Sequence, residues 1–306
     1  MDILTAFKTV AVMLLCAVPG FLMIKSRIIG SGSISTLAKL LLYVCQPCLL
    51  VSALTGVEFT RKTAVDLLIV FAVILVSELV MTGVLLLVFR KKLAEARFRI
   101  YTVASCMGNV GFMGVPVIRA LLPGNPEAVA FTAAASLALN VYGWTIACAV
   151  ISQDKKYMSL KKIFLNPATI SIFIAIPLFV LNVKLPFGID DKVELIGRFA
   201  TPLCMVIMGA RLACAKFRDV FLRPGNYLTV ALKQIIYPLL VLAALLILPF
   251  DKDMKSAIYI IACCPIASMV LNFSELIGKG REEAAGVLLL GTALSCLSLP
   301  LMILII

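Results

Sequence analysis

Two short segments of this 306-residue chain concentrate helix breakers inside otherwise charge-free runs. The first reads Ser105-Cys106-Met107-Gly108-Asn109-Val110-Gly111-Phe112-Met113-Gly114-Val115-Pro116, and the second Cys263-Cys264-Pro265-Ile266-Ala267-Ser268. A helix interior loses about 1 kcal/mol for each glycine and about 3 for a proline, so neither run is expected to form an uninterrupted helix. An unwound stretch frees backbone N–H groups, and the half-helix that follows presents its positive dipole end. Such a pair can receive an anion without a cationic side chain, and no arginine lies mid-span to do that work otherwise. Asn109 is a favoured N-cap type and Pro265 suits a first helical position, although the first break could lie at Asn109 or nearer Pro116. The candidate ligands are Asn109, Gly111 and the segment Pro265, Ile266, Ala267 and Ser268; Gly108, Gly114 and Pro116 are candidate helix breakers. Asn140 and Gln46 are polar groups positioned to line the same space, as are Tyr142, Thr201, Thr292 and Ser295. The competing view is a pair of ordinary proline kinks with helix-packing hydrogen bonds.

Two ionisable groups also fall well inside apolar runs, Glu78 and Lys233. Each would carry an insertion penalty of roughly 2.5 to 3.5 kcal/mol, so each should face protein or a water-filled cavity. They are candidates for a structural ion pair or for a proton-sensitive coupling element; no contact at all is the third alternative.

The elements that must position these groups follow from composition. The chain is 62% hydrophobic and 14% charged, with a mean hydropathy of +1.09. That is too apolar for a water-soluble globule, and the bilayer must be its solvent. Charge-free runs of spanning length recur, among them Leu40 to Val57, Ala128 to Gln153, Ile163 to Val183 and Ala284 to Ile306. With the shorter or singly charged runs, ten spans are expected, the seventh being the stretch Phe199 to Ala210 bounded by Arg198 and Arg211. The first is read as a span and not a secretory signal, because Lys25 and Arg27 follow the apolar run instead of preceding it.

Cutting near Lys155 to Lys162 leaves five spans on each side, residues 1–153 and 163–306. An odd number per half makes the halves opposite in topology, the inverted-repeat plan of many secondary transporters. A shift of 155 supports it: Pro47 maps to Pro202, Glu78 to Lys233 and Val110 to Pro265. The breaks thus occupy corresponding fourth and ninth spans, the best sequence pointer to a transporter binding site.

Other classes are disfavoured. The net charge of +12 lacks the clustered basic and aromatic residues of a nucleic-acid surface. With no histidine, no metal-ligand cluster and no nucleophile-base pair, an enzyme, a metal site and a bound cofactor are not expected. Most of the ten cysteines lie in apolar runs, and Cys45-Gln46-Pro47-Cys48 is read as helix packing, not a redox motif. An anion channel would share a polar midplane and is the nearest rival, and a receptor without a signalling domain is a weaker one.

The Gly108-to-Pro116 motif, the Pro265-to-Ser268 segment and Asn166-Pro167 together resemble the auxin efflux carrier family, bacterial relatives of the plant PIN carriers in the bile-acid-symporter-type superfamily. The resemblance covers essentially the whole chain. It implies broken crossover helices four and nine beside the substrate, and a scaffold of helices one, two, six and seven that is often dimeric. It also implies a mobile domain of helices three to five and eight to ten, moving like an elevator. Implied substrates are organic anions such as malonate, malate and indole-acetate, driven by a gradient or the membrane potential. Ala262 stands where the sodium-coupled branch has an acidic residue, which disfavours sodium and leaves the proton as candidate coupling ion, or no coupling. The expected setting is the plasma or inner membrane.

Taking the amino terminus as outside, the odd-numbered connections hold 17 basic residues and the even-numbered ones 8. Basic residues concentrate on the cytoplasmic side, which puts both termini and the loop with Asp190 and Asp191 outside and Lys155 and Lys156 inside. In a cysteine-free background, a single cysteine at position 155 should resist an impermeant maleimide in intact cells and react after permeabilisation. Labelling in intact cells would reverse the orientation.

Overall fold

A computed structural model describes residues 3–157, 160–183 and 188–306. Lys184 lies outside them, and the side chains of Lys155 and Lys162 are likewise outside the described set. Among the described residues every regular element is helical: α1 (Ile3–Lys25), α2 (Ser33–Thr55), α3 (Arg61–Val88), α4 (Ala96–Ala104), α5 (Val110–Leu121), α6 (Pro126–Ser152), α7 (Pro167–Val180), α8 (Ile189–Cys214), α9 (Pro224–Ile247), α10 (Lys252–Cys263), α11 (Met269–Ile277) and α12 (Arg281–Ile303). Seven of these, α1, α2, α3, α6, α8, α9 and α12, are long and apolar enough to cross a membrane. The chain is a multi-pass membrane protein. Large apolar side chains cover its outside, with Leu246 and Ile247 at the end of α9 as much as 75% and 86% exposed. Water would penalise that surface, and lipid does not.

Helix starts follow local chemistry. The side chains of Thr60, Asn125, Asn166 and Asp251 accept the backbone N–H of Thr63, Ala128, Ala168 and Met254, capping α3, α6, α7 and α10. Pro126 and Pro167 sit just after their Asn caps, where a missing N–H is harmless. Within spans, prolines have a different effect. The π turns Leu41–Cys45, Val110–Gly114 and Leu232–Ile236 each end two residues before a proline, Pro47, Pro116 or Pro238. A proline ring displaces the carbonyl four residues back, and a wider turn absorbs the displacement. The third of these turns carries Lys233 and Gln234.

The seventh expected span, Phe199 to Ala210, proves too short. Helix α8 runs Ile189–Cys214, so Arg198 and Arg211 lie within the helix and not at its ends. Helix α8 packs against α1 and α2, α7 packs against α2, and α3 packs against α6. The α1–α8 contact is backbone on backbone: a Cβ at Gly20 would enter the Val206 carbonyl, and one at Gly209 the Ala17 carbonyl. Small residues at such crossings let dispersion and close packing hold helices that lipid does not force together. No disulfide is formed among the described cysteines.

Replacing Gly209 by Leu should therefore separate α1 from α8 and destabilise by about 1–3 kcal/mol, the usual range for overpacking. A melting curve of the detergent-solubilised protein should shift down, whereas Gly30→Ala, with open space around it, should not. Equal curves for wild type and Gly209→Leu would contradict the close crossing.

Candidate functional site

Both breaker-rich segments are interrupted, and they meet. Helix α4 stops at Ala104 and the chain stays irregular through Asn109; α10 stops at Cys263 and the chain resumes as helix at Met269. Between them Gly108 and Ile266 form an isolated antiparallel bridge. The Asn109 N–H donates to the Pro265 carbonyl at 2.7 Å, and the Ala267 N–H to the Met107 carbonyl at 3.0 Å. Each break thus satisfies the backbone groups that the other leaves open, the requirement for irregular backbone far from water.

The first break lies at Cys106 to Asn109 and not at Pro116, which is inside α5. Asn109 occupies the N-cap position, but its side chain makes no capping bond. Pro265 is not a first helical residue: it sits in the extended stretch, and Ser268 precedes α11. The freed Asn109 side chain is 4% exposed. Apart from an interaction with the Cys204 thiol, its Nδ2 has no hydrogen-bond partner. A buried amide without an acceptor is costly unless something else arrives to accept.

Asn109 faces a cavity of about 1350 Å³. Gln46, Gly108, Gly111, Asn140, Ala267 and Ser268 also line it. Pro265, Ile266, Gly114 and Pro116 do not; they form the buried wall behind, where a Cβ on Gly114 would sit 3.3 Å from Cys264 Sγ. The Asn140 amide donates to the Ser136 carbonyl at 2.8 Å. Thr201 donates from Oγ1 to the Phe112 carbonyl at 2.9 Å, tying α8 to the π turn after the first break. Thr292 and Ser295 bond within α12, and Tyr142 bonds Thr82 at 2.6 Å. Gly32, Lys216 and Gly278, in the connections after α1, α8 and α11, and Arg281, the first residue of α12, also line the cavity, which opens beside these basic connections.

Glu78 and Lys233 are both buried, 2% and 0% exposed, yet no ion pair within 4 Å joins them among the described residues. Lys233 Nζ instead donates to the Ala262 carbonyl at 2.8 Å, near the end of α10, and lies 4.5 Å from the centroid of the Tyr237 ring. A Cβ on Gly108 would come 3.3 Å from it. A cation there complements the carbonyl end of a broken helix. Glu78 is within electrostatic reach of Lys233, and its Oε2 has no hydrogen-bond partner.

Ser136 and Arg211 are among the cavity residues not singled out from the sequence. Ser136 precedes Asn140 by one helical turn, and that i, i+4 spacing was a usable signal. Arg211 looked like a loop charge because it ends an apolar run, but it belongs to α8 and lines the cavity. It lies in the last turn of α8 and so reaches the cavity from a helix end and not from mid-span.

Spanning helices, two interrupted segments joined through their backbones and a polar cavity between them define a membrane transport protein. The model of the Mem_trans family, described as membrane transport protein, matches residues 5–160 and 155–303, and the chain belongs to that family. It is a transporter and not an enzyme. A relative described as "Putative malonate transporter" from Rhizobium meliloti (strain 1021) is 25% identical over 260 residues, 80% of this chain and 76% of that protein.

If Glu78 and Lys233 act as a coupled pair, removing either should harm more than neutralising both. Glu78→Gln and Lys233→Gln should each lower the melting temperature, and the double variant should lose less than the sum, by about 0.5–3 kcal/mol of interaction. Strictly additive losses would separate the two residues.

Proposed function

We propose that the chain is a secondary carrier for a small organic anion, which binds where the two interrupted segments meet. The observation that carries this is the Asn109 amide: buried, with no acceptor for its Nδ2 beyond the Cys204 thiol, on a residue that lines the cavity beside the Gly108–Ile266 bridge. Gly111, Ala267, Ser268, Asn140 and Gln46 complete the candidate receptor, with the Gly111 and Phe112 N–H groups at the start of α5 as further donors. The relative named for malonate transport supports a carboxylate substrate.

We read α4–α5 and α10–α11 as two broken spans and α7 as a short one, which with the seven long helices makes ten. On that count the halves 1–153 and 163–306 are inverted repeats, and the broken spans are their crossover helices. Support comes from the meeting of Asn109 with Pro265, next to the positions that the 155-residue shift aligns. The scaffold is α1, α2, α7 and α8, whose mutual packing supports treating them as one body. They are also the proposed homodimer surface. The remaining helices form the moving domain of an elevator, and its stroke must break the Thr201–Phe112 bond and the 3.1 Å Arg119–Glu194 ion pair. The conformation here is inward-open if the basic face is cytoplasmic, in the plasma or inner membrane. A proton, exchanged near Glu78, is the proposed coupling ion.

Counterflow in proteoliposomes loaded with malonate tests the assignment. Asn109→Ala should weaken apparent affinity by roughly 10- to 100-fold, as for a lost hydrogen bond to a charged ligand, without changing expression. Gly111→Val should be more severe, because its side chain would enter the space beside Ser136, whose Oγ lies 3.8 Å from a Cβ at that position. Wild-type kinetics in Asn109→Ala, or non-saturating flux without counterflow, would reject a carrier with this site.

A further inference from the structure

We infer that Arg211 is a second anion-binding group of the same cavity, and that the transported anion is a short dicarboxylate held at both ends. This rests on the proposed anion site at Asn109 and specifies its substrate class.

Arg211 lines the cavity together with Asn109. Its Nε is buried and has no hydrogen-bond partner, and no carboxylate lies within ion-pair distance of it among the described residues. The groups within its electrostatic reach are Glu275, Arg281 and the Cys204 thiol. Glu275 is already paired with Arg281 at 3.4 Å. The other acids near the rim are committed too: Asp219 and Glu282 are held by Arg223 at 2.7 and 2.6 Å. The rim lysines Lys39 and Lys216 are exposed, whereas Arg211 lines the cavity half-buried and has no ion-pair partner among the described residues. Leaving a guanidinium partly desolvated and unpaired is expensive, and such a group is characteristically completed by a ligand.

Its position relative to Asn109 follows from helix geometry. Cys204, which the Asn109 side chain approaches, and Arg211 are seven residues apart on α8 and so share a face, with an axial rise of about 10 Å. Helical side chains lean toward the helix amino terminus, which directs the long Arg211 side chain back toward Cys204. The remaining gap suits a small molecule with an anionic group at each end. One carboxylate would take the Asn109 amide and the backbone at the breaks; the other would take the planar fork of Arg211, which matches a carboxylate in bidentate fashion as an ammonium cannot. A monocarboxylate would leave the guanidinium unpaired.

Binding of malonate and of propionate, equal in carbon number, should be measured on the purified full-length protein by thermal-shift titration, with size exclusion confirming each variant's fold. Wild type should bind malonate more tightly. Arg211→Gln should weaken malonate by roughly 10- to 100-fold, as for loss of a charge-assisted contact, and propionate by less than about threefold. Arg211→Lys should recover part of the malonate affinity, and Lys216→Gln should leave both anions nearly unchanged. Wild type favouring propionate, equal effects of Arg211→Gln on the two anions, or a Lys216→Gln loss matching that of Arg211→Gln would overturn the assignment. Should Asn109→Ala lose both anions while Arg211→Gln loses neither, the anion site stands and Arg211 is no part of it. If wild type binds neither anion, the carrier assignment fails together with this one.

Discussion

The structure depends on one constraint: backbone polar groups deep in a lipid-solvated chain must find partners within the protein. Gly108 weakens the helical ladder of the first broken segment, and Pro265 interrupts that of the second. The two solve the problem jointly, through the Asn109-to-Pro265 and Ala267-to-Met107 hydrogen bonds. Neither segment could rest at that depth alone. Their meeting is therefore a condition of folding before it is a device for binding, and the space beside it is where a carrier can expose N–H groups to a ligand without exposing them to lipid.

Lys233 extends the same logic. Its ammonium, buried against Gly108 and bonded to the Ala262 carbonyl, supplies a cation where α10 ends in unpaired carbonyls. A Cβ at position 108 would sit 3.3 Å from the lysine Nζ, so the glycine there gives the ammonium room beside the bridge. Glu78 stands within its field but not in contact, so its charge state would be felt at the bridge without a direct bond. An element of that kind can respond to substrate or proton while the backbone junction stays intact.

Packing divides along the same lines. Where α1 and α8 touch, glycines bring backbones together, a contact that resists sliding because no side chain can give way. Where α8 meets the π turn after Asn109, a threonine hydroxyl donates to a carbonyl. Close, backbone-level contacts suit a body that stays fixed, and exchangeable polar ones suit a face along which helices move.

Membrane residence, the long spanning helices and the two breaks were legible in the residues, because each rests on local chemistry: apolar run length, glycine and proline. Asn109, Asn140, Gln46 and Ser268 were legible as polar groups in apolar surroundings. What the sequence could not determine was where side chains go once helices pack. Asn109 does not cap its helix, Lys233 turns to a carbonyl and not to Glu78, and Arg211, which by its place beyond an apolar run belonged to a loop, lies in α8 and lines the cavity. Local sequence sets the backbone's options and the charge that must be buried; only the tertiary structure chooses the partner, because that choice is made between segments far apart in the chain.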